Sequence, residues 1–363
     1  VYPALAVAHA LRDARPGLEL AYVGGVRGLE RRIVADVGDL PLPYHELMVR
    51  SLRSGGMNAH LVLDPLRLAA SVPQAWALLG RLRPDAVFTT GGYLGIPLVM
   101  AARARGIPSL LWEGNVIAGR ATAAIGRLAT RVAVSFPPTL DAFPGRSFVS
   151  GTPIRSFAGV DRAAARRSFG IGDDDRLLLV FGGSQAVARI TAALELGLQR
   201  LLMDWRVLHI AGEPGLPHAE AIRGSLPAGL VDRYEPVGFL TDRMTDALVA
   251  ADLVLGRAGS STCAEVAAAG VASILVPYPH AGDHQRANAA FMSDRSAAVM
   301  VPDAELDGDR LVAEARRLRD DAIRAPMAAA ARELGRPHAA GLIAGELLAM
   351  GERRPLPSAM GGA

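Results

Sequence analysis

The chain contains no lysine; all 39 of its basic residues are arginine. This excludes Schiff-base chemistry on a lysine amine and any phosphate loop that depends on a lysine. Cysteine is nearly absent too: Cys263 stands alone, so no internal disulfide can form, and no stretch has the pattern of a cleavable signal peptide. Both absences fit a reducing cytosol. Long apolar runs are missing as well, since residues 177–181 and 274–277 fall far short of the roughly 20 residues that cross a bilayer. What the chain does have is apolar content, half of its 363 residues, which is enough for two packed domains and too much for disorder.

The net charge of +3 hides an asymmetry. Residues 1–150 carry 16 arginines against 10 carboxylates, and residues 151–363 carry 23 against 26, so the halves stand at about +6 and −3. A basic half suits an anionic partner, either lipid head groups or nucleic acid, although a solvated surface with drifted charge gives the same count.

Strands alternate with helices along the whole chain. Pro3 and the spacing of Leu5, Val7, Ala8 and Leu11 predict a helix directly after Val1, so the reading enters an α/β unit part-way through. Strands are expected at 18–23 and 86–90, each ended by a glycine pair, with a helix near 29–37 between them. The pattern restarts at Arg176, with strands at 177–181, 206–211, 253–255 and 273–276 and helices at 243–250, 262–269 and about 283–293. This alternation predicts two similar parallel α/β domains whose ligand sites lie at the carboxyl ends of strands. The Gly/Pro break Ser150-Gly151-Thr152-Pro153 is the expected boundary, giving domains at 1–150 and 151–345 and a tail at 346–363. Its Pro- and Gly-rich end, 353–363, is expected to fray.

Several stretches carry chemistry. Gly182-Gly183-Ser184-Gln185, between a strand and a helix, lets backbone N–H groups and a helix dipole meet a phosphate, or serves only the geometry of a tight turn. In the stretch from Arg257 to Glu265, Ser261 and Thr262 offer N–H groups at a helix start while Glu265 can accept from ribose hydroxyls; Thr262 and Glu265 equally fit a capping box. Asp283-His284-Gln285 with Asn288 suits sugar hydroxyls at a strand end, or a plain polar helix start. No metal-ligand cluster is evident, and Asp173-Asp174-Asp175 reads as a solvated turn. In the first half, Thr90-Gly91-Gly92-Tyr93 and Trp112-Glu113-Gly114-Asn115 follow apolar strands; Glu113 is a candidate general base if partly buried. Residues 61–82, apolar with interleaved arginine and including Leu66, Arg67, Leu68 and Trp76, fit either a membrane surface or a core-facing helix.

Taken jointly, these stretches resemble the MurG family, the GT-B glycosyltransferases of family 28 that add N-acetylglucosamine to lipid I in peptidoglycan synthesis. The resemblance runs from Pro3-Ala4-Leu5-Ala6-Val7-Ala8 through Gly91-Gly92-Tyr93, Gly151-Thr152-Pro153-Ile154-Arg155, Gly182-Gly183-Ser184-Gln185 and 257–270 to Asn288. It implies a GT-B fold of two Rossmann-like α/β/α domains with parallel sheets facing across a cleft, and UDP-GlcNAc bound by the second domain. It also implies roles: Glu265 on the ribose, Ser184, Ser261 and Thr262 on the diphosphate, His284 and Gln285 on the sugar, and the Leu240 backbone on uracil. Arg155 would lie near the nucleotide, and Tyr93 and Asn115 on the acceptor side.

The implied reaction is an inverting displacement in which a base activates the muramyl C4 hydroxyl for attack on C1 of GlcNAc as UDP leaves, with no cofactor and no metal required. The implied partners are UDP-GlcNAc, lipid I and an anionic membrane surface, with no nucleic acid, and the implied location is peripheral, on the cytoplasmic face of the bacterial cell membrane. Three departures from the family pattern stand out. Its first Gly-rich loop, whose closing histidine is the family's candidate base, is not among these residues, so the resemblance names no catalytic residue here; Glu113 is a candidate only from its own position. Trp112 replaces a histidine and Gly114 a glutamine, and Ala186 replaces a glycine. Other readings of the same pattern are a different GT-B enzyme, such as a lipid glycosyltransferase or a UDP-GlcNAc epimerase, and a sugar-nucleotide-binding paralogue without turnover.

Overall fold

A computed structural model describes residues 1–26, 30–35, 37–38, 40–48, 60–182, 188–240 and 243–357, with residues 60–69 described by backbone alone. The chain divides into two compact units, Val1–Ile154 with His338–Ala363, and Arg155–Pro337.

The first unit holds six strands: β1 (Tyr22–Gly25), β2 (Tyr44–Leu47), β3 (Val87–Thr89), β4 (Ser109–Glu113), β5 (Arg131–Val134) and β6 (Ser147–Val149). β1 and β2 pair in parallel with each other, and β3-β4-β5-β6 form a parallel sheet in chain order. All five residues of β4 are buried, as expected of a strand covered on both faces. Helix Gly92–Ala104 follows β3 and packs against helix His60–Leu82. Its entry is made by Gly91, whose φ of +77° favours a residue without a Cβ.

The expected domain limits are corrected here. The boundary falls at 154/155, and 346–363 is not a tail, because helix Ala339–Gly351 belongs to the first unit. It packs against helix Tyr2–Ala14, and Ile343, Ala344, Leu347 and Met350 share a core cluster with Val7, Leu11, Leu110 and Trp112. The larger of these side chains contribute roughly 2 kcal/mol each by leaving water, which holds the chain end in place. Leu356 packs on the same cluster, and 358–363 lie outside the described residues.

The second unit is one six-stranded parallel sheet in the order β12-β11-β10-β7-β8-β9. Its strands are β7 (Leu177–Phe181), β8 (Arg206–Ile210), β9 (Tyr234–Val237), β10 (Leu253–Arg257), β11 (Ala272–Val276) and β12 (Val299–Met300). β7, β10 and β11 are buried throughout, which is why they read as unbroken apolar runs rather than alternating ones. The Asp173–Asp175 stretch is a turn at the amino end of β7, where the Asp175 carboxylate accepts from Gly172 N and pairs with Arg206 and Arg233.

Among the apolar residues of this core sits one imidazole. His209 on β8 is 1% exposed, its Nδ1 shares a 2.9 Å hydrogen bond with the Tyr234 hydroxyl, and its Nε2 has no partner among the described residues. Burial pushes its pKa down from 6.5 to about 4, so it is neutral in the native state at neutral pH. The unfolded chain takes up a proton here below pH 6.5 while the folded chain does not until about pH 4. Stability is therefore flat above pH 6.5 and declines as the pH falls to 4, by on the order of 3 kcal/mol from this group. Denaturant titrations at pH 7.5 and pH 4.5 should show that loss in the native protein, and His209→Gln should remove most of the pH dependence.

Candidate functional site

β7 and β10 lie side by side at the centre of the second sheet. From β7 the chain runs outward through β8 and β9 on one side, and from β10 through β11 and β12 on the other. Loops after two such strands diverge and leave a crevice at their carboxyl ends, the place where open parallel sheets take ligands. Both loops lead into helices. Gly182 follows β7, and helix Ala188–Leu202 begins beyond it; Ser184, Gln185 and Ala186 lie outside the described residues. After β10, Gly259 caps helix Ser260–Ala269 in an extended conformation with no side-chain cap. Among the described residues no side chain caps the first-turn N–H groups, those of Ser261 and Thr262 among them, and the helix dipole there favours negative charge.

The capping-box alternative is not what forms. The helix starts two residues earlier than the spacing suggests, so Thr262 is inside its first turn, and its methyl lies 3.4 Å from where a Cβ on Gly256 would be. Glu265 turns to Arg155 instead: Oε1 is 3.4 Å from the guanidinium Nε, with side-chain exposures of 12% and 33%. Burial raises the Glu265 pKa, and Arg155 opposes that by favouring the charged form. A half-buried carboxylate beside a helix start, paired with one arginine, is an acceptor suited to vicinal hydroxyls.

The neighbouring strand β11 ends at Val276 and leads through Pro277 and Tyr278 into helix His284–Ser293. The Tyr278 backbone N–H donates to Gln285 Oε1 at 2.9 Å, and buried Asn288 donates from Nδ2 to Ala258 O at 3.1 Å, tying this helix to the loop after β10. His284 and Gln285 are half-buried on its first turn, and Leu240 is half-buried beyond the end of edge strand β9. The second unit thus brings Arg155, Ser261, Thr262, Glu265, His284 and Gln285 to the carboxyl ends of adjacent strands. One further residue there, Asp303, was not indicated by sequence: it pairs with Arg257, 46 positions away, and no local pattern signals a contact of that span.

In the first unit, Tyr93 and Glu113 lie at the carboxyl ends of neighbouring β3 and β4. Tyr93 is 37% exposed. Glu113 is buried and engaged by its own loop: Oε1 accepts from Asn115 N (2.9 Å) and Nδ2 (3.0 Å), and Oε2 from Gly119 N (3.1 Å). That arrangement makes Glu113 the organiser of the 113–119 turn, and it spends the Asn115 amide on the same task. Trp112 does not face the strand end as its motif position suggests. Its ring is in the core cluster, and its Nε1 donates to Ser135 Oγ and to Gly151 O, at 3.1 and 3.2 Å.

Comparison with known proteins agrees with this geometry. The model of the glycosyltransferase family 28 N-terminal domain matches residues 1–134, and that of its C-terminal domain matches 177–342. The chain belongs to glycosyltransferase family 28. A relative from Salinibacter ruber is 36% identical over 356 residues, covering 97% of this chain and 94% of that relative. One from Nocardioides sp. is 39% identical over 339 residues, covering 92% and 90%. Both carry the name UDP-N-acetylglucosamine–N-acetylmuramyl-(pentapeptide) pyrophosphoryl-undecaprenol N-acetylglucosamine transferase. The crystal structure of Acinetobacter baumannii MurG superposes with a TM-score of 0.73 at 29% identity, covering 96% of this chain and 95% of that one.

This family 28 glycosyltransferase therefore has the GT-B fold, two α/β units with parallel sheets. Its Trp112 departure is a core substitution: an indole fills space among Val7, Leu11 and Ile343. The Ala186 departure lies outside the described residues. Glu265 is the residue of this crevice most open to test. Glu265→Ala should weaken UDP-GlcNAc binding by about 1–3 kcal/mol, the cost of unpaired hydroxyls and a stranded Arg155. Because only the ionised carboxylate serves as a double acceptor and its pKa is raised, wild-type affinity should begin to fall at a higher pH on acidification than an ordinary glutamate would give. Calorimetry on both proteins across pH 5–8 reads both effects.

Proposed function

We propose that the chain transfers N-acetylglucosamine from UDP-GlcNAc to the muramyl C4 hydroxyl of lipid I with inversion, forming lipid II. The observation that carries this reading is the pairing of an uncapped helix start with the Arg155–Glu265 couple beside the central strands β7 and β10, in a chain of this family. Residues 155–337 then form the UDP-GlcNAc unit. Glu265 accepts from the ribose hydroxyls, the N–H groups of Ser261 and Thr262 with Ser184 hold the diphosphate, and Arg155 adds positive charge near the nucleotide. His284 and Gln285 meet the sugar, and the Leu240 backbone meets uracil.

Negative charge grows on the diphosphate as the C1–O bond breaks. Backbone donors fixed in a helix start stabilise it without reorganising, which lowers the barrier to departure of UDP. The attacking hydroxyl enters from the opposite face and loses its proton to a base. Glu113 is too committed to its own turn for that task, so its part is to keep Asn115 and the 113–119 turn in shape. Tyr93 and Asn115 line the acceptor side. Incubating the chain with radiolabelled UDP-GlcNAc and lipid I, then identifying the product, tests the reading. Lipid II supports it; transfer to another lipid or interconversion of the sugar identifies a different GT-B enzyme, and binding without turnover a paralogue.

The first unit is the membrane-facing one, peripheral on the cytoplasmic face. Among the described residues no helix is long and apolar enough to cross a membrane. Trp76 and Met100, on the paired helices His60–Leu82 and Gly92–Ala104, are 42% and 41% exposed, and the Arg105 guanidinium sits 4.1 Å from the Trp76 ring centroid. Exposed apolar side chains beside arginines suit an anionic bilayer surface. Arg50 and Arg53 lie outside the described residues, and Arg67 is described by backbone alone. Sedimentation with anionic vesicles should weaken as salt shortens the Debye length from about 10 Å at 0.1 M to about 3 Å at 1 M, and the Arg50→Glu/Arg53→Glu/Arg67→Glu variant should bind less at low salt. Equal sedimentation of variant and wild type would return the charge asymmetry to surface drift.

A further inference from the structure

Arg257, the last residue of β10, is 5% exposed. A guanidinium cannot shed its charge, so its burial requires partners, and they are specific here. Nη1 donates to Asp303 Oδ1 at 2.5 Å and makes longer contacts with the carbonyls of Val276 and Pro277 at 3.3 and 3.5 Å. The ring of Tyr278 lies 5.4 Å from the guanidinium carbon. The next link is the Tyr278 N–H to the Gln285 side chain. On its other oxygen, Asp303 is 3.7 Å from the Nε of Arg189, near the start of the helix that follows the glycine loop of β7.

Asp303 itself comes from a short turn, Asp303–Glu305, beyond β12. It therefore links the end of β10 directly to the helix after β7 and, through Arg257, to the Pro277–Tyr278 turn after β11. Two guanidinium groups, those of Arg257 and Arg189, converge on this one carboxylate.

We propose that Asp303 is a positioning residue of the donor site, acting through Arg257 to fix the Pro277–Tyr278 turn and so the place of Gln285 and His284 relative to the helix start at Ser260. The proposal rests on the donor-site reading above and deepens it: Asp303 touches neither substrate nor reacting atoms but sets sugar recognition. Because the linked turn is hydrogen-bonded to Gln285 and leads into the helix of the sugar-side residues, and Glu265 with the helix start carries the nucleotide side, the two parts of the donor respond differently when the link is cut.

The test compares UDP with UDP-GlcNAc. Calorimetry on the full chain should show Asp303→Asn binding UDP-GlcNAc at least tenfold more weakly while UDP affinity changes less than threefold, with Asp303→Glu recovering most of the difference. Steady-state assays should show the donor KM raised more than kcat is lowered. Should Asp303→Asn not fold, Arg257→Met/Asp303→Leu removes both charges together, avoids a stranded guanidinium, and should give the same selective loss of UDP-GlcNAc affinity. Unchanged affinity for both ligands, or an equal loss of both, overturns the proposal while leaving the donor site standing. Failure of the wild type to bind either ligand overturns the donor-site reading and the proposal with it.

Discussion

The adjacency of β7 and β10 governs the chemistry of the second unit. Strands in a parallel sheet put all their carboxyl ends on one rim, and each following helix starts there with free N–H groups. Where the chain leaves two neighbouring strands in opposite directions, the loops part and open a crevice. The glycine after β7 and the uncapped start at Gly259 both fall on this crevice. The Arg155–Glu265 couple, the Asn288 tie to Ala258 and the turn carrying Gln285 are arranged around the same point.

Electrostatics makes the rim usable. Helix starts contribute partial positive charge without side chains, which suits a diphosphate in a chain that has no lysine. Burial raises the pKa of Glu265, and Arg155 is the local group that opposes that shift. Arg257 meets the opposite difficulty, a permanent charge with almost no exposure, and resolves it against Asp303 and the carbonyls at the end of β11. In each case a partner from a distant part of the chain lowers the cost of burying a charge.

The first unit uses similar means for structural ends. Glu113 gathers three donors from its own turn, and Trp112 is absorbed into a core shared by the helices at the two ends of the chain. These residues occupy positions where a strand end meets a loop, so they read as chemistry in one dimension. Their hydrogen-bond partners show that they shape the loop rather than reach out of it.

Much of the second unit was legible in the sequence because local rules suffice there. A run such as Leu177-Leu178-Leu179-Val180-Phe181 is continuous only when both faces of a strand are covered, and Gly270, left-handed at φ +61°, ends its helix where a glycine should. The family resemblance supplied the roles of Glu265 and His284, which spacing alone left beside ordinary helix-capping explanations. Tertiary structure alone decided whether the capping box at Glu265 forms. Whether Glu265 closes a capping box depends on where the helix begins, and that was settled by Gly259 and by Arg155, more than a hundred residues earlier. Whether helix Ala339–Gly351 is a tail or part of the first core depends on which apolar surface it meets, and its sequence records only that it is apolar. Contacts such as Arg257 with Asp303 join residues whose proximity exists only after the sheet is assembled, so no local pattern encodes them.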